Sequence, residues 1–448
     1  MTAVNAGARL DRLPVSSFHY NLLGLIAAGM FLDGFDIYLQ GGVLASLVAS
    51  GWSTPAMNAN FISATFAGMV IGASLAGVAG DHFGRRFAYQ INLLVFGLAS
   101  LAGAAAVSMS WLIAARLVMG IGLGAEIVVG YVTISEFVPP GNRGRWGAAL
   151  SAITNTSLFA SALLARVIIP NYGWRWMFVL VGIGALIVWF MRRSMPESPR
   201  WLESKGRFAE AEAVLSKIEH QVAPDGNLPQ PKVAVARVQT ESSLKALFRP
   251  DMIMRTFLGS LILIALNTAV YGFIAFLPTF MVRQGLSIVT TLNYATVMMF
   301  GGPVGALIGM WLSDKIGRKP IITWFSLLAI LFGSLYPNMT DPIFVTLFGF
   351  LLVTAVYVLV ATAWALYVAE LFPTTIRMRG AGFCNTMGRM MTIITPQLIV
   401  PIYVAAGVTG VIGLVSALML LMVVMVGFFG IETREKSLEA LVPSKVTV

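Results

Sequence analysis

The chain has 448 residues, 57% of them hydrophobic and 11% charged, with a net charge of +10. A soluble chain carries about 25% charged residues, so this composition excludes an ordinary water-soluble domain. Its single cysteine, Cys384, excludes an intrachain disulfide.

Apolar runs of about 20 residues, enough to cross hydrocarbon as helices, recur along the chain. Twelve are predicted, near 19–47, 58–80, 87–108, 111–137, 147–169, 174–193, 254–282, 290–313, 320–337, 342–371, 380–404 and 407–430. Their apolarity is continuous rather than alternating, which favours helices over a barrel. The expected class is an all-α membrane protein of twelve transmembrane helices. Of the 30 Lys and Arg, all but Arg116, Arg166, Arg175, Arg283 and Arg389 fall on one side of such a topology. Short loops rich in Lys and Arg stay cytoplasmic, so both termini are expected in the cytosol. The basic balance is thus an orientation signal and no nucleic-acid partner is expected. The first 18 residues are polar and the first apolar run is long enough to remain as a span, so no cleavable signal peptide is expected.

The first span carries Asp33 and Asp36 in Leu32-Asp-Gly-Phe-Asp-Ile-Tyr38. Ionised carboxylates are costly in hydrocarbon, so they should face a cavity or a partner. At i and i+3 the two share a helix face. Such a pair suits a proton carrier; the other reading is a pair neutralised by buried arginines. After the second span comes Asp81-His-Phe-Gly84-Arg85-Arg86. The fourth span holds Arg116 near its outer end, Glu126 midway as a further proton-coupling candidate, and leads to Glu136 and Arg143. Arg116 is either a substrate contact or a snorkelling rim residue.

Between about 194 and 253 the apolar pattern breaks. Arg207 to His220 has helical spacing with apolar residues on one side, inside a basic, turn-rich stretch. The expected organisation is a bundle at 1–193, a cytosolic linker with short helices at 194–253, a second bundle at 254–430 and a tail at 431–448.

The second half repeats features of the first. Asp314-Lys-Ile-Gly317-Arg318-Lys319 follows Asp81 by 233 positions, and Glu370 with Arg377 follows Glu136 with Arg143 by 234. Ile431-Glu432-Thr433 answers Pro196-Glu197-Ser198. Internal duplication in a membrane chain points to a two-bundle transporter that rocks about a central site. The loop charges are then gating candidates: Asp81, Gly84, Arg85, Arg86, Glu136, Arg143, Asp314, Arg318, Glu370 and Arg377. Gly recurs every fourth position at 68/72, 120/124 and 301/305/309, a spacing that lets helices approach closely.

Arg389 lies about ten residues into the eleventh span. Its guanidinium fork suits a substrate carboxylate, or else an internal salt bridge. Asn267, Tyr271, Trp364, Tyr367 and Asn385 are the neighbouring polar and aromatic pocket candidates; ordinary helix packing is the other reading of each. His19, His82 and His220 are flanking, in a loop and in the linker, so proton relay by histidine is not expected, and neither a metal nor a cofactor is expected.

At these residues the chain resembles the major facilitator superfamily. Gly77-x-x-x-Asp81-x-x-Gly84-Arg85-Arg86 is similar to its loop 2–3 signature, and Arg116-x-x-x-Gly120-x-Gly122-x-Gly124 and Pro196-Glu-Ser-Pro-Arg-Trp-Leu202 resemble its sugar-porter-like branch. Within that branch, Asp33-Gly-Phe-Asp36 and Gly388-Arg389 resemble the aromatic acid/proton symporters. The resemblance implies two pseudo-symmetric six-helix bundles. It implies roles in uptake of aromatic carboxylates for Asp33, Asp36, Asp81, Arg116, Glu136, Arg377 and Arg389. The seventh-span glutamine signature of sugar porters is absent, with Ile264-Ala-Leu-Asn267 in its place.

The expectation is a non-enzymatic, proton-coupled importer of a small organic anion, monomeric, in a bacterial inner membrane. The alternatives are a sugar or other neutral-metabolite symporter, a drug/proton antiporter, or a transporter-like membrane sensor.

Overall fold

The computed structural model of the chain describes residues 4–139, 142–231, 244–372 and 376–433, and among these every regular element is helical. Eleven helical runs are long and apolar enough to cross a membrane. The last, Arg379–Phe429, is two spans run together: Gly407 sits inside it at φ 62°, ψ −158°, outside helical geometry. Twelve spans result, with the break close to the predicted boundary.

The first six are Ser17–Ala49, Pro55–Phe83, Arg85–Ala104, Met109–Phe137, Arg143–Tyr172 and Arg175–Met191. The seventh, Ile253–Arg283, starts as an α-helix, widens to a π-helix over Thr268–Phe273 and tightens again before Leu277. The tenth widens similarly over Val360–Tyr367. Such widening is uncommon and concentrates at functional positions; here it holds Tyr271 and Trp364.

Contacts divide the chain into two compact units. The first comprises Met1–Ile37, Ala67–Ser157 and Arg175–Val238; the second comprises Tyr38–Phe66, Leu158–Trp174 and Gln239–Val448. Parts of the first, second and fifth spans therefore group with the second-half helices rather than with the rest of 1–193. Hydrogen bonds in the second unit tie them there: Ser63 Oγ donates to Ile393 O at 2.7 Å, Gln397 Nε2 to Asn60 Oδ1 at 2.9 Å and Thr296 Oγ1 to Ala162 O at 3.1 Å.

The small-residue spacing has a packing cause in each unit. In the first, Gly72 and Gly124 bring the second and fourth spans together so closely that a Cβ at either would strike the backbone of Ile121 or Met69. In the second, Gly301 meets the carbonyl of Phe350 and Gly309 that of Val358, seating the eighth span on the tenth. Close backbone approach of this kind replaces the hydrophobic drive that lipid cannot supply. Cys384 is fully buried in the second unit, its Sγ 3.6 Å from Thr256 O and packed on Gly259.

The stretch after the sixth span holds two helices of the first unit, Pro199–Ser204 and Phe208–Val222. Ser198 caps the first of these by accepting the Trp201 N–H. The second buries Ala211, Leu215 and Ile218, the side that the Arg207–His220 spacing marked as apolar. A short helix near the N-terminus, Ala6–Asp11, is fastened to both. Glu203 accepts the N–H groups of Asn5 and Ala6 at 2.7 and 2.8 Å, Arg200 pairs with Asp11 at 2.5 Å, and Arg9 and Arg12 both pair with Glu219.

Candidate functional site

Among the described residues of the first unit, five charged side chains are buried within the spans or at their ends. They are Asp33, Asp36, Glu126, Arg116 and Arg192, each at most 1% exposed. Asp36 Oδ2 accepts Arg116 Nη1 at 2.5 Å, with both side chains 0% exposed. The same guanidinium reaches the Asp36 carbonyl at 3.4 Å and lies 6.0 Å from the Phe178 ring. Arg116 is thus an ion-pair partner deep in the unit rather than a rim residue.

Glu126 forms an ion pair with Arg192. Arg192 stands in a single 3₁₀ turn after the sixth span, and its Nε and Nη2 donate to the carbonyls of Leu25 and Ile26 at 2.9 and 3.0 Å. Gly29 on the first span makes room for this pair, since a Cβ there would lie 2.7 Å from Glu126 Oε1 and 2.8 Å from Arg192 Cζ. Gly34 does the same for the fifth span, where a Cβ would meet Thr154 O at 2.9 Å.

Asp33 differs from the other two acids in having no ion pair: its two carboxylate oxygens are buried without a hydrogen-bond partner, as are those of Glu126, but Glu126 has the Arg192 guanidinium against it and Asp36 has Arg116. Its charged neighbours are Glu126, Arg192 and Asp36. An ionised carboxylate in that setting carries a large desolvation penalty, whereas a neutral acid there does not. Counted together, three carboxylates face two guanidiniums.

Arg389 belongs to the second unit and is half-buried. Its guanidinium makes no ion pair or side-chain hydrogen bond to any described residue. Its electrostatic neighbour is Tyr271, whose ring packs edge-on against Phe66 at 4.6 Å. The hydroxyls of Tyr38, Tyr271 and Tyr357 gather at one place. Asn267 is buried, donates to Leu263 O at 2.7 Å and abuts Gly388, the residue before Arg389. Asn385, one helical turn before Arg389, leaves its buried Oδ1 unpartnered. Trp364 is half-buried in the widened tenth span. Tyr367 stands apart from this set: it is fully buried with its hydroxyl beside Gly430, at the end of the twelfth span. A cleft in the same unit is lined by Tyr38, Gln40, Ser161, Ala275 and Leu292, with no charged side chain among its walls. The Gln40 amide is buried there with both polar atoms unpartnered.

The repeated loops share one geometry, each within its own unit. Gly84 has φ 100°, ψ 164° and Gly317 has φ 103°, ψ 165°. A glutamate covers each glycine and accepts the N–H groups that open the next helix. Glu197 takes those of Arg85 and Arg86, and Glu432 takes those of Arg318 and Lys319. Arg85 Nε donates to Glu136 at 3.0 Å, and Arg318 Nε to Glu370 at 3.2 Å. Asp81 pairs with Arg85 at 2.8 Å, and Arg86 reaches the Arg193 carbonyl at 2.8 Å. Burial pushes the Glu197 carboxyl above the ordinary range, the N–H groups of Ser198, Arg86 and Arg85 oppose it, and nearby Glu136 adds to it. The side chains of Arg143, Asp314 and Arg377 lie outside the described residues. Among the described residues no His, Cys, Asp or Glu cluster can hold a metal ion.

Five members of these groups carry little signal in the sequence. Arg192 stands at the end of the sixth apolar run, where it reads as one of the basic residues that follow. Glu197 and Glu432 stand out only as parts of an echo. Tyr38 and Tyr357 look like ordinary aromatics of apolar runs.

The helical fold with its twice-used loop is that of the major facilitator transporters. It matches the xylose transporter XylE from E. coli in an inward open conformation, with a TM-score of 0.72 over 94% of this chain and 99% of that one at 19% identity. A D-xylose-proton symporter structure matches with a TM-score of 0.73 over 94% of this chain and 100% of that one, at 18% identity. The chain belongs to the family described as sugar (and other) transporter, whose profile its residues 23–443 match. It is 37% identical over 443 residues to the inner membrane metabolite transport protein YdjE of Escherichia coli, covering 97% of this chain and 98% of that protein. It is 30% identical over 405 residues to the niacin transporter NiaP of Acinetobacter baylyi, covering 89% and 90%. The chain is a multi-pass membrane protein of a transporter family.

Proposed function

We propose that the protein is a proton-coupled importer of a small organic anion, an aromatic or related carboxylate. The observation that carries this reading is the unbalanced buried charge of the first unit: three acids, two arginines, and an Asp33 carboxylate without a hydrogen bond. One added proton balances that set, and a site that gains and loses one proton is what coupling requires. For the cargo, Arg389 is the matching group, a permanent cation with no counter-ion among the described residues, with Tyr271 beside it. The relative named a niacin transporter supports the class, since niacin is an aromatic carboxylic acid. In this proposal 1–193 and 254–430 are the moving bundles and the termini face the cytosol. The duplicated arginine–glutamate loops then act as gates that break and re-form as the bundles rock.

A neutral cargo such as a sugar is the second reading, favoured by the uncharged cleft with the unpartnered Gln40 amide. Uptake of radiolabelled nicotinate and benzoate into proteoliposomes, with and without an imposed pH gradient, tests the first. Gradient-driven accumulation that carboxylates compete for and their amides do not is the expected result. Uptake indifferent to the gradient removes the coupling, and competition by xylose but not by carboxylates moves the assignment to sugars.

A further inference from the structure

The two buried arginines of the first unit are held differently. Arg116 Nη1 serves Asp36. Arg192 is anchored by Nε and Nη2 to the Leu25 and Ile26 carbonyls, which leaves Nη1 directed at Glu126. A guanidinium fixed at two corners by backbone has little freedom to swing toward a second carboxylate. Gly29 is a separate sign that this pairing is built in. It stands one turn before Asp33 on the same face, and its missing side chain is the space that Glu126 and Arg192 occupy.

Among the described residues, three charged groups face Asp33. Its own helix presents Asp36, already paired; the fourth span presents Glu126; the turn after the sixth span presents Arg192. The fifth span meets this stretch with uncharged Thr154 and Ser157. One exchangeable proton therefore has two acids to choose between, Asp33 and Glu126.

We propose that Arg192 is a positioning residue for proton coupling: it keeps Glu126 as the ionised partner and so assigns the cluster's one exchangeable proton to Asp33. The step is a simple protonation, a proton from water bonding to one Asp33 oxygen and leaving by the same bond. The inference deepens the proton-coupled reading and rests on it, but its test needs no substrate.

The test is pH-difference infrared spectroscopy of the full-length protein in lipid, reading the C=O stretch of a buried, protonated carboxyl. The wild type is expected to show one such titrating carboxyl. Asp33→Glu should move its frequency and Glu126→Asp should leave it in place. Arg192→Gln removes a cation, so the unbalanced carboxylates rise from one to two and a second titrating band should appear. Adding Glu126→Gln to Arg192→Gln should restore a single band. A band moved by Glu126→Asp but not by Asp33→Glu overturns the assignment. So does an Arg192→Gln spectrum that keeps one unchanged band, or a wild type with none. Should Arg192→Gln fail to fold, the Asp33→Glu and Glu126→Asp pair decides alone. Spectra as expected with transport indifferent to a pH gradient would retire the coupled-importer reading while leaving the proton assignment intact.

Discussion

Glu197 accepts the backbone N–H of Arg85 at 2.9 Å, across 112 positions of sequence, and closes the turn made by Gly84. The second unit repeats this with Glu432 and Arg318 at 3.0 Å over Gly317. In each case a carboxylate sits at a helix N-terminus, where the unpaired N–H groups and the dipole favour negative charge. Each glycine also occupies a positive φ that side chains resist, with the glutamate where a Cβ would go.

Gly84→Ala and Gly317→Ala should each destabilise the protein by about 1–3 kcal/mol, the usual cost of forcing such backbone. Gly382→Ala, a helical position with nothing within 4 Å, should be close to neutral. Thermal unfolding in detergent checks all three. Glu197→Ala should fall in the same range as the glycine variants, because it removes the acceptor of the Arg85 and Arg86 N–H groups at a helix N-terminus.

At the N-terminus the prediction concerns acid. Burial opposes ionisation of Glu219, but Arg9 and Arg12 outweigh it and hold the carboxyl below its ordinary value. A depressed carboxyl contributes its full stabilisation above the unfolded value of about 4.3 and loses it as pH falls through the folded value. Hydrogen exchange over residues 6–11 should therefore stay slow at neutral pH and quicken only in distinctly acidic buffer. Glu219→Gln should bring the fast exchange to neutral pH. If that variant exchanges like the wild type, the helix is held by other contacts.

Asp36→Asn leaves Arg116 without its carboxylate in a fully buried place. Removing one partner of a buried pair costs about 3–5 kcal/mol. The expected outcome is a lower unfolding temperature together with loss of gradient-driven accumulation. Adding Arg116→Gln should recover much of the stability but not the accumulation. Circular-dichroism melts and proteoliposome uptake read the two effects separately.

Arg389→Lys keeps the charge and loses the fork. Affinity for aromatic carboxylates should fall about tenfold, roughly 1.4 kcal/mol, and further for Arg389→Ala. Affinity for the matching amides should be unchanged in both. Competition binding on purified protein makes the comparison, and equal losses for acids and amides would place Arg389 in structural support instead.

Much of the architecture was readable because it depends on local, repeated patterns. The spans follow from continuous apolarity, and the duplication from echoes at a nearly constant offset. The apolar side of Phe208–Val222 follows from helical spacing. What was not readable depends on long-range pairing. Nothing near Arg192 in the chain announces that Glu126, 66 positions earlier, is its partner. The carboxylate pair Asp33 and Asp36 looked like one unit from its spacing, yet Asp36 is matched by Arg116 and Asp33 has no hydrogen bond. The π-helical widening around Tyr271 and Trp364 has no composition signal either, because it is set by the packing of neighbouring helices. Tyr367, a pocket candidate by its place in the tenth span, has its hydroxyl beside Gly430 instead.

The lone thiol of Cys384 is walled in against Thr256 and Gly259. A chain with no other sulfhydryl and that one shielded is already a near-blank background for maleimide dyes and spin labels. Reporter cysteines introduced at chosen loop positions would carry essentially all of the signal, so distance changes during turnover can be followed on the otherwise native protein.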